Sequence, residues 1–474
     1  MKKLLSLILI CSMALSLFTI STFAYTDVSG DEMTRATGIL KELGIMYGYE
    51  GDVFMPDELI TRAEFAVTTA RMINVSEKDE TGVDYYLDIP DLHFALGAIN
   101  NLTQIGVLAG DPTGHFRPDD TITAAEAYKM MLCIIGYGEY LDYKGGWPVG
   151  CMNLANQTDI SIGVSADKTL TRGEVALLAV NTLEAPCLEA VSYGSEGIEY
   201  KVNEDSNLLA QYRDVYKAEG QVTAVPGTTL VEETEYTENE IYVDGVLYKY
   251  DGDDIKDLIG SMVEVYYYQK DGKDDREVVF IAEISEDINE IVISSENIGS
   301  FNEGDYVLKY FDENGKTRNA SIAKNVSVIR NNVAITNLTK ETFEIKNGSV
   351  KLKSTTGRST YNVVIIQDYK NFVVGMPNVS DEIAYNYFKP TEPIDLNHDS
   401  VRLLNSSGVE ISIEDLKAKN VLSVMNGSDN YSEIYVSNTL LSGKVDKIIS
   451  DGDTIYTIGG NTYEVDRDLM EKTP

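Results

Sequence analysis

The feature that most constrains the fold is an internal repeat in the N-terminal third of the chain. Residues 44–66 and 106–128 share one frame, in which an initial glycine and a later threonine keep the same spacing. A shorter third copy covers residues 160–174 and keeps both ends of that frame. A repeated unit of this size buries its apolar face only by stacking on its neighbours. We therefore expect the three units to share one core.

Each unit is predicted to form a helix, a loop and a second helix. In the first unit, Ile39, Leu40 and Leu43 recur at helical spacing, and Gly44 follows where a helix commonly ends. The second helix is predicted to begin at Thr61, because a threonine followed three residues later by a glutamate is a helix-start signal.

The threonine and glutamate of this signal have a structural role of their own. The threonine side chain accepts a hydrogen bond from the third helical N–H, and the glutamate reaches back to the threonine N–H. The chain has three such pairs, Thr61 with Glu64, Thr123 with Glu126, and Thr171 with Glu174. We expect capping to be the main task of these six residues.

An arginine follows the threonine in two of the three units. Arg62 and Arg172 occupy the first helical position, where unpaired N–H groups and the helix dipole favour an anion. A guanidinium at that position presents a fork suited to a carboxylate. The alternative is that both arginines pair with local acids. Ala124 replaces the arginine in the second unit, so two competent anion sites are expected rather than three.

These residues resemble the S-layer homology family. The resemblance is carried by Tyr25-Thr-Asp-Val28, by two Gly-x-x-x-Gly…Phe-x-Pro-Asp frames, by Thr-Arg-Ala-Glu, and by Gly145-Gly-Trp-Pro-x-Gly150, which is similar to the clostridial form. It covers roughly residues 25–187. The resemblance implies a three-lobed pseudo-trimer of helices that holds the cell wall noncovalently, through grooves that bind pyruvylated secondary cell-wall polysaccharide.

If the ligand is the polysaccharide that the resemblance implies, the chemistry of these residues indicates which of them contact it. The candidates are Arg62, Arg172, Thr61, Thr171, Trp147 and Asp27. Trp147 is expected either to stack on a sugar face or to pack at a junction between repeats. Asp27 is expected either to accept sugar hydroxyls or to cap a helix.

Beyond the repeats, helical periodicity gives way to alternating and β-branched runs separated by turn residues, which predicts small all-β modules. Asp244-Gly245 is a two-residue hairpin turn. The predicted strands are Gln221–Val225, Glu240–Tyr250, Met262–Tyr268, Glu277–Ile284, Tyr306–Phe311, Val326–Ile329, Tyr361–Ile366, Val409–Ile413 and Val421–Met425. The predicted fold class is multidomain α+β.

The sequence predicts eight segments. Residues 1–24 have a basic start, an apolar run and a small-residue end, as in a secretory signal peptide. Residues 441–474 echo the start of the 215–285 module and stop halfway through it, so we expect a longer product. Between these lie repeats at 25–80, 84–140 and 141–190, and β modules at 215–285, 286–375 and 376–440.

Composition narrows the possible partners. The net charge of −37 repels nucleic acid and anionic membranes, and no run after the signal peptide is long enough for a membrane span. Three histidines and three cysteines outside the signal peptide, none at metal-ligand spacing, predict neither a metal site nor a cofactor.

We expect a secreted, wall-anchored protein that is not an enzyme, with self-assembly into a surface layer as a further expectation. A wall-anchored carbohydrate-active enzyme is the alternative, because two carboxylates suffice for a glycosidase. An adhesin whose β modules bind an outside partner is a third reading.

Overall fold

The structure of the protein is a computed structural model. The structure describes residues 25–141, 144–194, 197–230, 239–252, 255–270, 274–284, 289–355, 359–397, 401–426, 432–439, 443–451, 453–458 and 461–464. The predicted signal peptide lies outside these residues. Among the helices described, none is both long enough and apolar enough to cross a lipid bilayer.

Helices occupy the N-terminal part and strands the rest, in agreement with an α+β chain. The helices are α1 (Asp31–Glu42), α2 (Arg62–Met72), α3 (Leu96–Gln104), α4 (Ala124–Ile134), α5 (Val149–Gln157), α6 (Arg172–Glu184) and α7 (Leu208–Arg213). The first six form three pairs, one for each sequence repeat. Gly44 and Gly106 follow the first helix of their pairs with φ of 68° and 79°, a conformation that glycine adopts at little cost.

The three pairs meet at a closed ring of backbone hydrogen bonds. Ile60 donates its N–H to the carbonyl of Leu170 at 3.2 Å, Ile122 donates to Ile60 at 3.1 Å, and Leu170 donates to Ile122 at 3.0 Å. The three side chains are buried in one apolar core, to which all three pairs contribute. Each repeat therefore contacts both others, through equivalent segments that precede α2, α4 and α6.

A hairpin and a short helix connect the repeats to the sheets. The strands β1 (Cys187–Gly194) and β2 (Gly197–Asn203) pair antiparallel, and Leu188 donates its N–H to the carbonyl of Ile135 in the second repeat. Leu208 and Leu209 of α7 are buried in the core of the repeats. Cys151 and Cys187 are buried free thiols.

The next six strands form a small barrel. They are β3 (Val215–Val225), β4 (Thr228–Thr229), β5 (Glu240–Val243), β6 (Val246–Lys249), β7 (Met262–Tyr268) and β8 (Glu277–Glu283). The long strand β3 pairs with β5 at one end and with β7 at the other, which closes the order β3-β5-β6-β8-β7. Asp244 and Gly245 have φ of 48° and 76°, so the predicted two-residue hairpin turn is confirmed.

Two further sheets, of seven and six strands, and a three-stranded meander follow. The second sheet holds β9 (Asn289–Ser294), β10 (Ile298–Asn302), β11 (Val307–Phe311), β12 (Thr317–Arg330), β13 (Val333–Ile335), β14 (Gly348–Ser354) and β15 (Thr360–Asp368). The third holds β16 (Lys370–Asn378), β17 (Ile383–Asn386), β18 (Ile394–Asp395), β19 (Val401–Asn405), β20 (Val421–Asn426) and β21 (Ser432–Ser437). The meander is β22 (Val445–Asp451), β23 (Asp453–Ile458) and β24 (Asn461–Glu464). Its antiparallel order matches that of β3, β5 and β6, although its identity as a second copy stays a prediction.

One predicted strand is wrong. Val409–Ile413 forms a single bridge between Glu410 and Leu404. The Asn405 side chain accepts hydrogen bonds from the N–H groups of Ser407 and Val409 and thereby fixes a tight turn. Ser412 then begins a short 3-10 turn. Polar side chains that bond to their own backbone compete with strand pairing, and here they outweigh the β propensity of the valine and isoleucines.

Candidate functional site

The six threonine and glutamate residues of the repeats cap their helices. In α2, the Glu64 N–H donates to Thr61 Oγ1 at 3.2 Å, and the Thr61 N–H donates to Glu64 Oε2 at 2.8 Å. The carboxylates of the other two repeats accept in the same way, Glu126 from the Thr123 N–H at 3.0 Å and Glu174 from the Thr171 N–H at 2.8 Å.

The helix starts do not leave free N–H groups for an anion, and this part of the sequence-based expectation was wrong. The N–H of Arg62 donates to the carbonyl of Asp120 at 2.9 Å, and that of Ala63 donates to Pro118 at 3.0 Å. The equivalent N–H of Arg172 donates to Glu58 at 2.8 Å. Each helix start is therefore satisfied by the loop of a neighbouring repeat, so any anion must be held by side chains.

Arg62 is buried and paired with an acid, which is the alternative that the sequence left open. The residue is 4% exposed, its Nε donates to the carbonyl of Phe116 at 2.9 Å, and its Nη1 lies 2.8 Å from Glu126 Oε1. Arg117 Nη2 contacts the same oxygen at 2.7 Å. Burial alone would raise the pKa of Glu126, but the Thr123 hydrogen bond and the Arg62 charge outweigh it and hold that pKa below its usual value.

Arg172 makes a backbone contact equivalent to that of Arg62, but its charged neighbours differ. Its Nε donates to the carbonyl of Phe54 at 3.0 Å and its Nη2 to that of Tyr47 at 2.9 Å. The guanidinium lies 4.9 Å from the ring centres of both Tyr49 and Phe54. Within the described part of the chain, no carboxylate lies within 4.0 Å of it. We call Arg172, Tyr47, Tyr49 and Phe54 the Arg172 site.

Two tyrosine side chains of the Arg172 site are exposed to solvent. Tyr49 is 49% exposed and presents ring surface beside the largely buried Arg172, whereas the Tyr47 ring, 55% exposed, lies 5.6 Å from the guanidinium of Arg71. Neither tyrosine belongs to a motif that predicts a ligand contact. The sequence gives no signal for Tyr49, because its contact with Arg172 joins two different repeats.

The third equivalent position has no arginine. Ala124 is fully buried at the start of α4, and its N–H donates to the carbonyl of Lys168 at 2.8 Å. Lys168 is the nearby cation, and its Nζ lies 3.2 Å from Glu174 Oε2. The three junctions between repeats therefore differ in charge although their backbones are equivalent.

The repeats match a known family. The family model of the S-layer homology domain matches residues 24–66 and 85–127. The chain is an S-layer homology domain-containing surface protein. Both matched S-layer homology segments begin at the loop before a first helix and end inside a second helix, so they follow the helix pairs described above.

Three curated relatives are similar to this S-layer homology protein. The middle cell wall protein of Brevibacillus brevis is 24% identical over 92% of this chain. The surface layer protein of Brevibacillus choshinensis is 24% identical over 98% of it. The cellulosome-anchoring protein of Acetivibrio thermocellus is 32% identical over 22% of the chain and 25% of its own length. The chain spans 46% of the length of either Brevibacillus protein.

Asp27 binds the backbone of its own S-layer homology repeat. Its two carboxylate oxygens accept hydrogen bonds from the N–H groups of Phe54 and Met55, both at 2.7 Å, and Asp88 makes the same pair of contacts in the second repeat. Burial would raise the pKa of Asp27, yet these hydrogen bonds and the nearby Arg172 charge lower it. Asp27 therefore shapes the loop that carries the Phe54 carbonyl.

Trp147 lies on the surface at the start of the third repeat. Its side chain is 56% exposed, and Lys129 Nζ lies 6.0 Å from its ring centre. It is therefore open to solvent rather than packed in the core.

Among the described residues, no cluster of three or more histidine, cysteine, aspartate or glutamate side chains could hold a metal ion.

Proposed function

We propose that the three repeats form a pseudo-threefold S-layer homology unit that anchors this surface protein to the cell wall by binding secondary cell-wall polysaccharide. The ring of hydrogen bonds through Ile60, Ile122 and Leu170 supports the pseudo-threefold arrangement. The protein is secreted and wall-associated, as its S-layer homology segments and surface-layer relatives indicate. In this proposal the β modules are a structural or display region, and the chain is not an enzyme.

One observation carries the proposed mechanism: the Arg172 guanidinium has no ion pair within the described residues, whereas that of Arg62 is neutralised by Glu126. Backbone carbonyls fix the orientation of Arg172 without cancelling its charge. A carboxylate on a sugar, such as a pyruvyl ketal, would gain a charge-assisted hydrogen bond there. The exposed ring of Tyr49 would contact the sugar ring.

The proposal assigns different weights to the candidate residues. Arg172 is the main anion contact, and Trp147 and Asp27 are secondary contacts. Thr61 and Thr171 hold the helix starts that carry the arginines, and Arg62 acts only if a ligand displaces Glu126. A single weak site does not hold a protein at a surface, so retention on the wall would depend on several contacts acting together.

Co-sedimentation of the full chain with purified cell walls tests the proposal. Replacing Arg172 with Ala is expected to weaken binding about 10- to 100-fold, since a charge-assisted hydrogen bond contributes about 1.5–3 kcal/mol. Arg318→Ala is the matched control, because Arg318 is a half-exposed arginine of the second sheet that pairs with Asp312. Arg62→Ala is expected to change the affinity of the folded protein much less than Arg172→Ala.

Two outcomes would contradict different parts of the proposal. If the unaltered chain fails to sediment with the walls, anchoring by these repeats is wrong. If it sediments but Arg172→Ala sediments equally well, the Arg172 site is not the contact. Mild acid hydrolyses ketals, so walls treated in this way separate recognition of a pyruvyl group from recognition of the remaining polymer.

A further inference from the structure

The β barrel that follows the repeats shares a core with them. Phe280 of β8 packs against α1 at Gly38, where an added Cβ atom would lie 2.6 Å from Phe280 Cε2. Tyr266 of β7 and Val215 of β3 are buried in the same apolar cluster as the helices. A linker between independent domains leaves few such contacts, so this junction resembles the interior of one domain.

A cluster of charged side chains closes the same junction. Arg35 of α1 hydrogen-bonds to Glu264 of β7, and its Nη2 lies 2.6 Å from Glu184 Oε1 at the end of α6. Lys217 of β3 lies 3.1 Å from Glu264 and 3.5 Å from Glu184. The Tyr266 hydroxyl, fully buried, bonds to Glu184 and Arg35. We call these five residues the junction cluster.

The junction cluster is balanced in charge and drawn from both sides. Arg35 and Glu184 belong to the first and third repeats, whereas Lys217, Glu264 and Tyr266 belong to the barrel. Burial alone would lower the pKa of Lys217, but the charges of Glu184 and Glu264 outweigh it and raise that pKa. Each side holds one cation and one carboxylate, and every cation contacts the carboxylates of both sides, so separating the two sides would break half of these contacts.

The helix α7 adds a third connection. Arg213, its last residue, donates to the carbonyl of Leu43 at 2.6 Å and also to the carbonyl of Arg71. Leu43 and Arg71 are at the C-terminal ends of α1 and α2, where unpaired carbonyls favour a cation. Asn74 also donates its side-chain amide to the carbonyl of Tyr212 at 2.7 Å.

The barrel also carries partly buried ion pairs at its contacts with the next two sheets. Lys353 of the second sheet is 3% exposed and contacts Ser261 and Glu283 of the barrel, the latter at 2.6 Å. Lys256 of the barrel contacts Glu433 of the third sheet. Ile329 of the second sheet is fully buried in the apolar core of the barrel.

We propose that the barrel is an integral part of the anchor, so that residues 25–284 form one cooperative unit that fixes the orientation of the following sheets relative to the repeats. The partner surface for the helical repeats is thus the chain's own first β module. The repeats alone, ending near residue 187, would expose Gly38 and leave Arg35 without Glu264. This inference does not depend on which polymer the repeats bind.

Hydrogen exchange of the full chain, combined with calorimetry, tests this proposal. In the unaltered protein, the slowest amides of α1 and β7 are expected to exchange with the same opening free energy, because both belong to one unit. Arg35→Met is expected to lower the shared unfolding temperature by roughly 10 °C, since the two carboxylates of the junction cluster would then share one cation, Lys217. The double variant with Arg35→Met and Glu264→Met is expected to recover part of that loss.

Lys340→Met is the matched control, because the Lys340–Glu344 pair of the second sheet is well exposed and 3.8 Å apart. It is expected to leave the unfolding temperature of α1 and β7 unchanged. Different opening free energies for α1 and β7 in the unaltered chain would overturn the proposal, even if Arg35→Met did not fold. An Arg35→Met variant that destabilises α1 and leaves β7 protected would overturn it as well.

Discussion

At the scale of single residues, the arginines of the repeats show how the same signature acquires different chemistry. Arg62 and Arg172 follow the same capping threonine, and each donates Nε to the carbonyl of a phenylalanine in the next repeat. Only Arg62 meets an acid within 4.0 Å among the described residues. The sequence identifies the arginine in the first and third repeats, but not the acid that reaches Arg62, because Glu126 comes from another repeat.

Glu126 provides a test of the Arg62 environment. Its lowered pKa means that it stabilises the fold above the unfolded pKa of about 4.3, and that this contribution is lost as pH falls through the folded pKa. Glu126→Gln is expected to lower the free energy of unfolding by about 2 kcal/mol at pH 7, and the difference from the unaltered protein is expected to shrink below pH 4. Urea unfolding across this pH range measures both.

The matched control is Glu174→Gln, since Glu174 caps α6 in the same way but, among the described residues, pairs only with the more exposed Lys168. Glutamine preserves the capping geometry in both variants. If Glu126→Gln lowers the free energy of unfolding no more than Glu174→Gln does, the buried Arg62–Glu126 pair contributes nothing measurable to stability.

At the scale of helices and strands, capping and turn residues predicted the structure correctly where neighbouring residues alone determine the backbone conformation. The starts of α2, α4 and α6 follow from their capping pairs, and the turn at Asp244-Gly245 follows from its residue types. The predicted strand at Val409–Ile413 is wrong because side-chain hydrogen bonds to the backbone compete with strand pairing. The parallel pairing of β12 with β15 also has no local signal, because it joins distant segments.

Gly97 tests the packing of α3. An alanine there would favour the helix by about 1 kcal/mol on intrinsic propensity, but its Cβ would lie 2.3 Å from the Glu77 carbonyl oxygen and 2.4 Å from the Asp79 nitrogen. Backbone atoms cannot move away cheaply, so we expect Gly97→Ala to destabilise the protein by about 1–2 kcal/mol. The urea midpoint measures this.

Gly173→Ala, in α6, is the comparison for Gly97→Ala. Its Cβ would meet the end of the Met33 side chain at 3.0 Å and Pro56 atoms at 3.1 Å. The milder overlap predicts a smaller loss of stability. A Gly97→Ala variant that is more stable than the unaltered protein would show that the loop at residues 77–79 yields more easily than the packing implies.

At the scale of the whole molecule, the net charge sets how the protein approaches a charged polymer. A chain with a net charge of −37 repels an acidic polysaccharide at long range, although in the proposed function Arg172 would attract a carboxylate at contact. Salt screens the long-range repulsion first, because the screening length falls from about 30 Å at 0.01 M to about 8 Å at 0.15 M. If the proposed ligand is acidic, its association rate is therefore expected to rise with salt over this range.

Surface plasmon resonance with the isolated polysaccharide measures that rate. Arg172→Ala is expected to bind more weakly at every salt concentration while its association rate keeps the same upward trend. An association rate that falls steadily with salt would indicate attraction between opposite charges, and the proposed acidic ligand would then be wrong.

The closed ring through Ile60, Ile122 and Leu170 limits how many repeats such a unit can hold. Each of the three segments gives one N–H and takes one in return, so deletion of any repeat leaves both a donor and an acceptor without a partner in the core. A fourth copy inserted into the chain would have no free donor or acceptor in the ring to pair with, and it would therefore stay outside the shared core. A molecule that lacks one repeat could close the ring of hydrogen bonds with the equivalent repeat of a second molecule. Such an exchange would produce a domain-swapped dimer.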